Sequence, residues 1–148
     1  MLEAFVKPEA IQLNVACKSW QEALDIGAAP LLADGVIEPS YVEAVKKSHQ
    51  AMPYMVIAPG IMLAHARPEC GAHAIGISLL TLKEPLPFGS ELNDPVKLVI
   101  TFATPDDKSH LKLLEALTEF LMDADRLARF MAVQSPAEAM HLLGKGED

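Results

Sequence analysis

The run "DPVKLVITFAT", residues 94–104, reads as a strand that is apolar on both faces: Val96, Leu98 and Ile100 alternate along one side, and Val99 lies on the other. Successive side chains of a strand point to opposite faces of its sheet. A strand of this kind tolerates water on neither side, so its sheet needs a cover above and below, and helices are the usual cover. The chain has 148 residues, enough for one ordinary domain with a real core and too few for two. The expectation is a single α/β domain over 1–148 in which a mixed β-sheet is sandwiched by α-helices.

The remaining segments supply the parts. "AIQLNV" (Ala10–Val15) alternates apolar and polar residues as a first strand does, and Tyr54–Ala58 and Ile61–Ala64 are two short apolar runs split by Pro59-Gly60. "AHAIGISLLTL", residues 72–82, is a longer one. Ser19 with Glu22 forms a capping box that opens a helix from Trp20 to Ala33, closed by Gly35; Pro30 is expected to kink or shorten it. "PSYVEAVKKSHQA" predicts a second helix with Tyr41, Val42 and Val45 inward. In "DDKSHLKLLEALTEFLMD", Leu111, Leu114, Leu117 and Leu121 mark a core-facing stripe. A shorter helix over "DADRLARFMAV" follows, then a last one opened by Ser135, Pro136 and Glu138 and ended by Gly144.

Ionisable chemistry gathers in one place. "GIMLAHARPECGAHAIG" puts His65, Arg67, Glu69, Cys70 and His73 within nine positions, just after an apolar run. In α/β sheets functional groups collect at strand ends, where His65 falls. With an ordinary pKa of about 6.5, an imidazole is mostly neutral near pH 7 and can attack an electrophile through one nitrogen while the other is tethered. His110 lies in the first turn of the "DDKSHLKLL" helix, where free N–H groups and the positive dipole end favour an anion. If the loops after Ala64 and Ala103 share one sheet edge, His65 and His110 share a pocket. Arg67 could clamp a phosphate there.

Other readings of these residues stand beside that one: partly exposed turn histidines, a solvated Arg67 and Glu69, and a structural His73. A zinc site could use His65, Cys70 and His73 with His110 as a fourth ligand, although His-x4-Cys-x2-His fits none of the common structural patterns. No oxyanion-hole motif accompanies Cys70 as a nucleophile. The phosphate-loop and dinucleotide glycine motifs are both missing, so a phosphoryl donor would have to be another protein.

Charge narrows the partners. Twelve Lys and Arg against twenty Asp and Glu give a net charge of -8, with no basic stripe for nucleic acid or an anionic membrane. The first residues, "MLEAFVKPEAIQLNV", do not read as a signal peptide, and no apolar run is long enough for membrane insertion. Cys17 and Cys70 form no C-x-x-C pair, and the expected setting is cytoplasmic.

Finally, "PYMVIAPGIMLAHARPECGA", "GISLLTL" and "DPVKLVITFATPDDKSHLKLLEAL" together resemble the mannitol/fructose-type enzyme IIA domain of the bacterial sugar phosphotransferase system. "PYMVIAPGI" and "ARPE" most resemble its L-ascorbate branch. The resemblance implies a phosphocarrier in which His65 accepts a phosphoryl group from phosphorylated HPr and passes it to a cysteine of the cognate enzyme IIB, serving a membrane enzyme IIC indirectly. It implies that His110 helps hold the phosphate and that the relay needs no cofactor, metal or nucleotide. The transported compound would be L-ascorbate or a related sugar acid or pentitol. A regulatory module of the same fold, phosphorylated as a signal, is the alternative.

Two positions depart from the family pattern. Ala64 stands where many members have proline, and His49 where many carry an arginine sixteen positions before the active histidine. His49, a weaker and pH-dependent charge, and Arg67 are therefore candidate helpers. Met62 and Leu63 are expected to offer partners an exposed apolar docking surface.

Overall fold

The strand over Val96–Ala103 is covered on both sides, as its sequence demands. The computed structural model describes residues 2–144; Met1 and residues 145–148, the outer ends of the expected 1–148 domain, lie outside the described residues. Five strands are present: β1 (Ile11–Val15), β2 (Val56–Ala58), β3 (Ile61–Ala64), β4 (Gly76–Leu86) and β5 (Val96–Ala103). The helices are α1 (Trp20–Ala33), α2 (Pro39–Ala51), α3 (Asp107–Leu121), α4 (Ala124–Ala132) and α5 (Pro136–Leu143). The strands form one sheet in the order β1-β4-β5-β3-β2. β1 with β4 and β3 with β5 run parallel, while β4 with β5 and β2 with β3 run antiparallel, so the sheet is mixed as expected.

Alternation along β5 builds two cores. Leu98, Ile100 and Phe102 pack with Leu113, Leu117 and Phe120 of α3, Phe130 of α4 and Leu143 of α5. Val99 and Ala103 face Ala23, Leu24, Ala28 and Leu31 of α1 and Tyr41, Val42 and Val45 of α2. Each fully buried Leu or Phe contributes about 1.5–3 kcal/mol by leaving water. Val96 joins the α1/α2 layer rather than that of Leu98 and Ile100, next to a register shift in β4 between Thr81 and Leu86. α1 lies close to the sheet at Gly27, where an added Cβ would come 3.2 Å from Thr101 Oγ1. The Ser78 hydroxyl donates to the Gly27 carbonyl at that approach.

Local signals hold at the helix ends. Ser19 Oγ accepts the Glu22 N–H at 3.2 Å, and Glu22 reaches back to the Lys18 N–H at 2.7 Å. Gly35 ends α1 at φ 74° with the paired Gly35→Leu32 and Val36→Leu31 hydrogen bonds of a Schellman turn. Ser135 caps α5 in the same way as Ser19 caps α1, accepting the Glu138 N–H at 3.3 Å. Asp123 caps α4 through the Arg126 N–H at 3.1 Å.

Several expectations are corrected. α1 is not shortened at Pro30 but runs to Ala33, and the Ile26 carbonyl that a proline leaves unpaired accepts Gln12 Nε2 at 2.7 Å. The buried stripe of α3 is Leu113, Ala116, Leu117 and Phe120; Leu111 is 68% exposed, and Leu114 and Leu121 pack only partly against the core. Both sets satisfy the three-and-four spacing, and the stripe that carries the aromatic ring is the one that turns inward. The long strand is β4 at 76–86, not 72–82; Ala72 instead makes an isolated bridge to Ile37. Tyr54 precedes β2, in a turn. Three 3-10 turns at Leu2–Phe5, Pro8–Ala10 and Pro68–Cys70 are too short to announce themselves by periodicity.

Candidate functional site

Parallel pairing of β3 with β5, Ile61 opposite Leu98 through Ala64 opposite Thr101, sends both strands out at the same sheet edge. The next residue after β3 is His65, and after β5 come Thr104 and then Asp106, which caps α3 by accepting the Ser109 N–H at 2.8 Å. The two histidines thereby meet. The His65 ring stacks on Phe102 with centroids 4.8 Å apart and planes 13° from parallel, and His110 lies 6.0 Å from the same phenyl ring.

His65 has a defined tautomer. Its Nδ1 is 3.0 Å from the Leu63 carbonyl, an oxygen that can only accept, so Nδ1 carries the proton and Nε2 keeps its lone pair. Burial lowers the His65 pKa below its usual 6.5; the Leu63 carbonyl pulls the other way, and His110 adds to the lowering. The ring is therefore neutral near pH 7, with one nitrogen able to act as a nucleophile. His110 is held through Nδ1, 3.3 Å from the hydroxyl of the buried Thr104.

A cleft of about 520 Å³ opens at this edge, lined by His65, Arg67, Cys70, Thr104, Asp106, Asp107 and His110, with Ala44, Ser48 and Tyr54 on the α2 side. Arg67 is exposed and makes no ion pair among the described residues. The side chain of Asp106 holds its own helix end, and its hydrogen bonds from Ser109 put its pKa below the usual value. A second cavity of about 390 Å³, lined by Phe5, Leu31, Val36 and Ile75, contains no histidine and lies apart from this chemistry.

The other sequence candidates sit elsewhere. His49 is 3% exposed, its ring edge-on to Trp20 at 4.8 Å and to Phe88 at 5.8 Å, and its Nε2–H donates to the Phe88 carbonyl at 2.6 Å. It does not line the cleft, so α2 brings Ser48 there and not His49. His73 Nε2 is 2.5 Å from Glu38 Oε2 and also lies outside the cleft. Among the described residues no group of three His, Cys, Asp or Glu side chains is arranged to hold a metal ion, so His65, Cys70 and His73 do not form a ligand set. The docking role expected of Met62 and Leu63 is overturned: Met62 is fully buried under α1 and α2, and Leu63 packs against the opposite core. A short strand covered on both sides leaves Met62 no surface and Leu63 only part of one. Of the exposed large apolar side chains, Tyr54 lines the cleft, and Leu111 follows His110 in α3 without lining it.

Sequence reasoning missed the polar frame behind the histidine. The Tyr41 hydroxyl reaches the Ala66 backbone and the Phe102 carbonyl, partners 25 and 61 positions away that no local pattern links. Thr104 and Phe102 were visible only as parts of a strand end.

Comparison with known proteins places the whole fold in one family. The family model for the phosphoenolpyruvate-dependent sugar phosphotransferase system, EIIA 2, matches residues 4–146. The chain is 35% identical over 145 residues to the ascorbate-specific PTS system EIIA component of Escherichia coli K12, covering 97% of this chain and 94% of that protein. The solution structure of the mannitol-specific cryptic phosphotransferase enzyme IIA of Escherichia coli superposes with a TM-score of 0.90 at 33% identity, covering 98% of this chain and 99% of that one. The mannitol enzyme IIA of Escherichia coli, in its complex with phosphorylated enzyme IIB, superposes with a TM-score of 0.82 at 25% identity, covering 95% of this chain and 99% of that one. A mixed sheet between helices, two histidines at one strand edge and a match across almost the whole chain lead to one conclusion: this protein belongs to the EIIA 2 family of the sugar phosphotransferase system and is a phosphotransferase component.

Proposed function

We propose that this chain carries a phosphoryl group on His65 Nε2 between phosphorylated HPr and an enzyme IIB of the ascorbate type. The observation that carries the reading is the Nδ1–H to Leu63 carbonyl hydrogen bond, which leaves Nε2 unprotonated and directed away from its tether. In the first step the Nε2 lone pair attacks phosphorus on the donor's phosphohistidine. The new N–P bond forms as the old one breaks, and its electron pair returns to the donor ring. The phosphorylated His65 ring, still protonated at Nδ1, is cationic, and the Leu63 carbonyl stabilises that charge. In the second step a cysteine thiolate of IIB attacks the same phosphorus and His65 returns to its neutral form.

Phosphoryl transfer asks mainly for positioning and for donors around the equatorial oxygens. His110 and Arg67 supply them from the α3 and loop sides of the cleft. His49 has no such part in this reading; its place outside the cleft gives it a structural one. Tyr54, exposed at the cleft, provides an apolar contact for transient docking of a modest interface. No described helix is long and apolar enough to cross a membrane, in keeping with a component that meets HPr in the cytoplasm and reaches a membrane enzyme IIC only through IIB.

The test is a chase. The chain is labelled with radioactive phosphoenolpyruvate, enzyme I and HPr, then mixed with purified IIB of the ascorbate or mannitol type. Label moving preferentially to the ascorbate IIB supports the reading. Label that enters this chain and moves to neither IIB removes the transport role.

A further inference from the structure

Tyr41 lies beneath the site, on α2, with 1% of its surface exposed. Its Oη accepts the Ala66 N–H at 3.0 Å and stands 2.8 Å from the Phe102 carbonyl and 3.1 Å from the Ala66 carbonyl. A phenol has one proton to give. The shorter contact assigns it to Phe102, so a single oxygen accepts from the residue after His65 and donates to the residue whose ring the imidazole stacks on. We infer that Tyr41 is a positioning residue for phosphoryl transfer, its hydroxyl fixing the spacing between the His65 loop and its Phe102 platform. The inference rests on His65 being the phosphorylated residue.

The geometry makes this more than core packing. The loop leaves β3 at Ala64, and β5 ends at Ala103, so the ladder that joins the two strands stops at the pairing of Ala64 with Thr101. Beyond that pair the His65–Ala66 backbone has no ladder partner on β5. Tyr41 Oη takes over the job of joining the strands one step past the end of the sheet. His65 Nδ1 donates backwards to Leu63, so a swing of the Ala66 peptide would break that bond and release the wrong tautomer. Only a group that donates and accepts at one point can hold an N–H and a C=O together, and a phenol, protonated at working pH, is such a group; burial pushes its pKa further up, to about 12. Phenylalanine keeps the packing and loses the link.

The test compares wild type with Tyr41→Phe. Single-turnover phosphorylation by phosphorylated HPr is measured over donor concentration, and the His65 tautomer is read from its ring ¹⁵N shifts. The expected result is at least a tenfold fall in the maximal rate with little change in the donor concentration for half-maximal rate. The Nδ1–H form of His65 should give way to a mixture. Core loosening alone would not change the tautomer. An unchanged maximal rate and a single Nδ1–H tautomer in the folded variant would overturn the inference while leaving the phosphocarrier reading intact. A wild type that takes no phosphoryl group would overturn that reading instead. If Tyr41→Phe fails to fold, hydrogen exchange of the wild-type Ala66 amide decides: protection comparable to β5 supports the link, and exchange at the rate of an open loop overturns it.

Discussion

The imidazole of His65 lies flat on the phenyl ring of Phe102, 4.8 Å between centroids and 13° from parallel, so the face of the ring is shielded while its Nε2 edge meets the cleft. An offset aromatic contact of this kind is worth about 0.5–1.5 kcal/mol beyond the area it buries. Desolvation, to which the covered ring face contributes, is the first cause of the lowered His65 pKa.

Phe102→Leu should therefore raise the His65 pKa toward 6.5 as water reaches the uncovered face. An NMR pH titration of the His65 ring checks this. A pKa that falls further would mean that the phenyl ring is not what excludes water.

His110 stands across that ring, tethered at Nδ1 and free to present Nε2 to an anion. Removing one preorganised donor from developing phosphoryl charge typically costs about 10²–10³-fold in rate. His110→Ala should slow single-turnover phosphorylation by about 10²-fold while mass mapping still finds the phosphoryl group on His65. A rate within a factor of two of wild type would remove His110 from the phosphate site.

Much of this frame was legible in the sequence. Ser19 with Glu22, Gly35 and the Ser135-Pro136 start carry their physics locally, and the elements they bound appeared where expected. The meeting of His65 and His110 needed only one further fact, that β3 and β5 are parallel neighbours. What stayed hidden depends on contacts across the fold. The choice between the Leu111 and Leu113 stripes is a rotation of α3 that spacing alone leaves open. The burial of Met62 follows from a strand covered twice, and the carbonyl that Pro30 releases is taken up by Gln12, on another element. His49 falls on the same three-and-four face as Val42 and Val45, so its inward direction is local, but its packing against the Trp20 and Phe88 rings depends on other elements.

The buried His49 should make the stability depend on pH. Its Nε2–H is used by Phe88, its buried Nδ1 has no hydrogen-bond partner, and burial lowers its pKa below 6.5. The unfolded chain then binds a proton before the folded one as pH falls. Stability is full above about pH 6.5, declines below it, and levels off once the pH is under the folded-state pKa. His65, shifted in the same direction, adds to the decline. Urea unfolding from about pH 7.5 to about pH 5.5 should show a falling midpoint, and His49→Phe should make that fall shallower. An equally steep fall in the variant would assign the effect to other groups.

Arg126 separates stability from chemistry. It is 5% exposed, donates from Nε to the Leu142 carbonyl at 2.6 Å and from Nη2 to the Leu143 carbonyl at 3.2 Å, and lies over the Phe120 ring. These bonds satisfy carbonyls at the C-terminal end of α5. Arg126→Met should cost about 2–4 kcal/mol by leaving them unpaired, read as a lower urea midpoint. The phosphorylation rate of the folded variant should be unchanged, since the residue lies in the α4/α5 layer and not at the cleft. A slowed rate at full folding would tie the two regions together.

Phosphoryl transfer through this chain stands or falls with His65 Nε2. Wild type and His65→Ala are incubated with phosphoenolpyruvate, enzyme I and HPr, then examined by intact mass and by phosphorus–nitrogen NMR of the labelled ring. Wild type should gain one acid-labile phosphoryl group, bonded to Nε2, and His65→Ala none. A folded wild type that gains no mass, or a phosphoryl group that persists in His65→Ala, would rule out His65 as the carrier.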